Sequence, residues 1–67
     1  MYSNKQIVIE QVEELLSFTS DKIIVECKLG TIEAYGNDLF IYLMQKDEIV
    51  LHGTINEVQF FPEKRRK

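Results

Sequence analysis

From Lys22 onward apolar and polar residues alternate nearly one for one, β-branched types dominate, and short clusters of Gly, Asn and Asp cut the chain into pieces of strand length. That period suits a pleated strand with one buried face and excludes an extended helix. In Lys22 to Lys28, Ile23, Val25 and Cys27 share one face, with Glu26 and Lys28 on the other. Leu29-Gly30 is read as a tight turn or bulge. Thr31 to Tyr35 alternates again, with Ile32 and Ala34 facing one way, and Gly36-Asn37-Asp38 is read as a hairpin turn. Leu39 to Met44 is apolar on both faces, and Gln45-Lys46-Asp47 turns the chain once more. Ile49 and Leu51 mark the inner face of Glu48 to Gly53, and Gly53-Thr54 leads into a last strand. There the apolar positions Ile55, Val58 and Phe60 change parity, which a bulge near Asn56-Glu57 would restore. Pro62 ends the strand.

The first twenty residues are ambiguous: Ile7 and Ile9 alternate like a strand, while Val12, Leu15, Leu16 and Thr19 also fit a helical spacing. The expected fold is therefore all-β, a small antiparallel meander of about five to seven short strands, arranged as a single sheet or a compact roll or sandwich. Residues 1–61 form one domain and 62–67 a short basic tail, expected to be disordered. The side chains expected to be most buried are Ile23, Val25, Ile32, Leu39, Ile41, Leu51, Ile55 and Phe60.

A chain of 67 residues buries only about 60% of the surface its unfolded form exposes, which leaves little room for a deep catalytic cleft. A core of this size rarely supplies more than roughly 3–5 kcal/mol, and small proteins usually add disulfides, a metal or oligomerisation. One cysteine, Cys27, allows no internal disulfide, and one histidine, His52, gives no zinc-ligand spacing. Oligomerisation is the remaining support. The lone thiol fits a reducing cytoplasm. Met1 to Gln6 lacks a basic leader region and Ile7-Val8-Ile9 is cut off by Glu10, so no signal peptide is expected. No apolar run approaches the roughly 20 residues of a spanning helix. Up to Pro62 four basic residues stand against ten acidic ones, a balance of −6, whereas Lys64, Arg65, Arg66 and Lys67 form a basic cluster. The body repels nucleic acid and anionic lipid, and only the tail attracts them.

A spaced set of residues spans most of the chain: Val12-x-x-Leu15-x-Ser17-Phe18, an acidic turn at Ser20-Asp21, Ile23-Ile24-Val25-Glu26, Leu29-Gly30-Thr31-Ile32, and Gly36-Asn37-Asp38-Leu39. It closes on Ile49-Val50-Leu51-His52-Gly53-Thr54-Ile55 and then Val58-x-Phe60. In this order and spacing the segment from Ile7 to Phe60 resembles the YabP/YqfC family of bacterial sporulation proteins. Ala34-Tyr35, in place of an aliphatic strand ending, and His52, where an acidic residue is commoner, depart from the pattern. The resemblance implies a role in endospore formation, in the mother-cell cytoplasm and close to a membrane-embedded sporulation protein. It implies no catalysis and makes Val12 to Phe18 extended, and no cofactor or metal is expected.

Among individual residues, His52 has no evident partner for general-base work and is read as a strand residue on a solvent or interface face. Cys27 is read as a core residue rather than a nucleophile. Glu10, Glu13 and Glu14 could bind a cation or a basic peptide, and are read as a solvated acidic face. If Leu39, Ile41 and Leu43 fill the core, Phe40, Tyr42 and Met44 point outward together and are the candidate interface, of the residue types enriched at interface centres. They predict a homo-oligomer, with peripheral membrane contact through Lys64 to Lys67 as a further possibility. The functional expectation is a non-enzymatic assembly or adaptor protein. The alternative is a small nucleic-acid-binding β-barrel of the Sm or OB type, which the acidic body disfavours.

Overall fold

The computed structural model describes residues 4–63, and five antiparallel strands account for most of them. β1 (Gln6–Glu10), β2 (Val12–Phe18), β3 (Lys22–Cys27), β4 (Gly30–Gln45) and β5 (Glu48–Pro62) form one open sheet in the order β1-β5-β4-β3-β2. The all-β expectation holds and Val12 to Phe18 is extended. Two of the strands, however, are not short: β4 has 16 residues and β5 has 15.

Gly36-Asn37-Asp38 is not a hairpin turn. β4 continues through it, paired with β5 on both sides, and the segments on either side of Gly53-Thr54 likewise form the one strand β5. Between the pairs Asn37↔Thr54 and Phe40↔His52, two residues of β4 oppose one of β5, with Asp38 at φ 56° and Gly53 at φ 131°. The polar turn-forming residues thus make a bulge that bends the strand instead of reversing it. A second offset leaves Asn56 unpaired between Tyr35↔Glu57 and Gly36↔Ile55, where the parity change had located a bulge.

These bends fold the sheet over. A straight strand of 16 residues would run about 50 Å, yet the longest dimension of the molecule is 39 Å. β3 pairs only with the first half of β4, and β1 only with the first half of β5. One half therefore contains β2, β3 and the paired ends Gly30 to Tyr35 and Glu57 to Pro62, and the other contains β1, Glu48 to His52 and Phe40 to Gln45. Gln11, at φ 59°, carries the chain between the halves. The Lys28 N–H donates to its carbonyl at 3.0 Å and the Val12 N–H donates to the Asp47 carbonyl at 2.9 Å. Both hairpin turns, Lys28-Leu29 and Lys46-Asp47, are thereby held at one end. At the other end the Ser20 and Asp21 carbonyls accept from the N–H groups of Leu39 (2.8 Å) and Gly36 (3.2 Å), tying the β2–β3 turn to the bend.

The core lies between the halves: Ile7, Ile9, Ile23, Val25, Cys27, Ala34, Leu39, Ile49, Leu51 and Ile55 form one buried cluster, with Val12, Leu15, Ile32, Ile41 and Val58 against it. Ile23, Val25, Leu39, Leu51 and Ile55 are buried as expected. Ile32 and Ile41 are only partly so, and Phe60 is half exposed. Phe60 does lie on the core side, opposite Ile32, but near the end of β5 the opposing half does not reach far enough to cover it.

Candidate interaction surface

Directly opposed residues of an antiparallel pair share a face, so the register tells which side chains of the β1-β5-β4 half look outward. Ile41↔Leu51↔Ile7 is a core row. Phe40↔His52↔Gln6 and Leu43↔Val50↔Val8 are outward rows. Val50 is buried yet stands outside the core cluster, in keeping with a place on the second face. Between the pairs to Ile41 and Leu43, Tyr42 is unopposed, a bulge that turns Tyr42 and Leu43 toward the same side.

His52 is the centre of this face. Its ring is stacked on Tyr42, with centroids 4.1 Å apart and planes at 14°, and Phe40 meets it edge-on at 5.8 Å. Nε2 lies 2.9 Å from the Gln6 side-chain oxygen, a hydrogen bond across β1 and β5. Phe40 and Tyr42 remain 49% and 62% exposed and Leu43 41%. Stacked and edge-on ring contacts hold His52, Tyr42 and Phe40 against one another. A shallow depression of about 430 Å³ beside it, lined by Lys5, Gln6, Asp38, Phe40, His52, Gly53 and Thr54, is open to solvent and encloses nothing.

Of the three candidate interface residues, Phe40 and Tyr42 are brought together. Met44 is not with them. The bulge shifts it into the row Met44↔Ile49↔Ile9, on the core side, where it projects half exposed beyond the end of the core. Leu43 takes its place, which the sequence could not reveal because Leu39 to Met44 is apolar throughout. The acidic cluster is also divided. Glu10 stands opposite Glu48 in one half, Glu14 opposite Glu26 in the other, and Glu13 lies unopposed between Val12 and Glu14. Lys64, Arg65, Arg66 and Lys67 lie outside the described residues.

The groups with reactive potential are placed structurally. Burial pushes the Cys27 thiol pKa up, and Glu13 and Glu26 push it further, so the thiolate is disfavoured. The Tyr35 hydroxyl donates to the Glu33 carboxylate, which raises its pKa chiefly through that bond. Among the described residues no group of three or more His, Cys, Asp or Glu side chains could hold a metal ion. No helix among them is long and apolar enough to cross a membrane.

A single antiparallel sheet folded on itself, with an exposed aromatic cluster on one face, defines a small all-β protein. The YabP family matches residues 1–67, and the chain belongs to that family. No curated protein is matched. Membership is consistent with a sporulation-related role, in a family not known for enzymes.

Proposed function

We propose that this protein is a non-enzymatic assembly module of the sporulating mother cell. It self-associates and docks a protein partner, of the membrane-embedded kind that the family likeness implies, through the face formed by Phe40, Tyr42, Leu43 and His52. The observation that carries this reading is the His52-centred ring cluster. Large aromatic side chains held in a fixed arrangement and left half exposed are costly for a monomer and typical of interface centres.

The test pairs Phe40→Ser with Tyr42→Ser. Both side chains lie off the core face, so circular dichroism should keep its β signature. The double variant should lose the ability to restore sporulation in a strain lacking the gene, and by light scattering should shift toward monomer if copies meet through this face. An unfolded variant would show that the rings are core. A folded variant that restores sporulation fully would overturn the docking role. RNA binding in the nanomolar range with steep salt dependence would replace this reading with the nucleic-acid one.

A further inference from the structure

The hydrogen bonds that tie the two halves together also bound a seam. Val12 to Ser20 and Leu39 to Asp47 are equal in length and are bonded at both ends in antiparallel sense, the Val12 N–H to the Asp47 carbonyl and the Leu39 N–H to the Ser20 carbonyl. Between those ends no ladder joins β2 to β4, and the two strands stand apart. Glu13 and Leu16 are unopposed along β2 and Tyr42 along β4, and such bulges bend a strand out of line with its neighbour. β2 pairs only with β3, and the second half of β4 only with β5, so among the described residues each leaves one backbone edge unpaired toward the seam.

Burial follows the same line. Ile23, Val25 and Leu51, facing the core from β3 and β5, are completely buried. On the strands that flank the seam, Leu15 and Ile41 are only partly buried against the core, while Phe18 (opposite Ile23) and Met44 (opposite Ile49) are 48% and 53% exposed although they stand on the core side. The core is therefore left accessible along this opening. The two edges differ in protection. Free edges are ordinarily guarded by charge or proline, and β2 carries Glu13 and Glu14, but Phe40 to Gln45 contains no charged residue at all.

We propose that an extended segment of a partner protein enters this seam, pairs its backbone with the free edge of Phe40 to Gln45 and lays alternate apolar side chains over Leu15, Phe18, Ile41 and Met44, adding the strand that the sheet lacks. The described charges at the hairpin end of the seam are Glu10, Glu13, Asp47 and Glu48 against Lys28 and Lys46, with Glu14 next along β2. The segment accordingly carries Lys or Arg where it passes that end. A second copy of the chain is the poorer occupant, because its equally acidic body would set like charges against the same groups. The inference deepens the docking role proposed above by giving the form of the partner. Its experiment reads the core-side edge and not the His52 rings, so either reading can fail without the other.

The probe is a synthetic peptide of about eight residues, alternating valine and threonine and ending in lysine. On adding it to the full chain, amide exchange within Phe40 to Gln45, followed by mass spectrometry, should slow by roughly tenfold while exchange in β3 stays as it was. The chain contains no tryptophan, so Phe18→Trp reports the seam directly, and its emission should shift to the blue as the peptide binds. Met44→Lys should remove the slowing, whereas Phe40→Ser with Tyr42→Ser, which alters only the outward face, should retain it. A peptide with proline at alternate positions, unable to donate to a ladder, should have no effect and requires no protein variant. Exchange within Phe40 to Gln45 that is already as slow in the free chain as within Gly30 to Tyr35 would mean that the seam is closed and would overturn the proposal. So would the absence of any slowing with the lysine peptide. Slowing that grows with protein concentration without peptide would overturn it too, by giving the seam to another copy.

Discussion

The bend at Gly53 exposes this fold to a single substitution, and Gly53→Ala measures it. At φ 131° the backbone is in a region that L residues rarely adopt, which costs about 1–3 kcal/mol for alanine. The new Cβ would stand 2.5 Å from the Asp38 carbonyl oxygen and 2.9 Å from the Leu39 Cα. Both are backbone atoms and cannot rotate away. β4 must move off β5 at the place where Leu39 is seated in the core, adding about 1–3 kcal/mol of overpacking. The sum is comparable with the roughly 3–5 kcal/mol a core of this size provides. Urea unfolding followed by circular dichroism, at one fixed protein concentration because association would add stability, should find Gly53→Ala largely unfolded at 25 °C. Gly36→Ala separates the two causes. Gly36 has no positive φ, but its Cβ would fall 1.9 Å from the Thr54 carbonyl oxygen, so any loss there is steric alone. If Gly53→Ala unfolds within about 1 kcal/mol of the unaltered chain, the bend is soft and the reasoning fails.

Leu51, fully buried in the first half of β5, should lose about 2–5 kcal/mol on substitution by alanine, whereas half-exposed Phe60 should lose much less. Equal losses in urea titrations of the two variants would mean that the end of the core is closed. The Cys27 thiol pKa is raised above its ordinary value by burial, so above about pH 9 the unfolded chain releases its proton more readily than the folded one. Stability should therefore fall as pH rises from there toward the folded pKa, and Cys27→Ala should remove that part of the slope. The native thiol should also resist alkylation at pH 8 until urea is added, and fast native labelling would contradict its placement in the core.

What the sequence disclosed depended on where its pattern was redundant. The alternation Ile23, Val25, Cys27 fixed the register of β3, because a slip of one residue would bring Glu26 and Lys28 into the core. The parity change at Ile55, Val58 and Phe60 located the bulge at Asn56 for the same reason. Gly36-Asn37-Asp38 misled, since residues that tolerate positive φ serve a bulge as well as a hairpin. Only the later pairing of Phe40 with His52 decides between them. That pairing is tertiary information, as is the way the Ser20-Asp21 turn docks against the bend. The prediction for Phe60 failed because periodicity reports which side a residue faces, not whether the opposing layer extends over it.

The same limit governs the candidate interaction surface. In an all-apolar run such as Leu39 to Met44 the period-two rule has no polar residue by which to set its phase, so one unopposed residue can exchange the two faces without any trace in composition. The bulge at Tyr42 does this: Phe40 keeps its outward place, Met44 passes to the core side, and Leu43 joins the outward set. What holds the phase is on the neighbouring strand. Ile49 and Leu51 must be inward, so His52 is outward, where its ring meets those of Tyr42 and Phe40. His52, read from the sequence as a strand residue on a solvent or interface face with no evident partner, stands against both rings. If the proposed docking role holds, replacing His52 should impair complementation of sporulation while leaving urea unfolding of the core nearly unchanged.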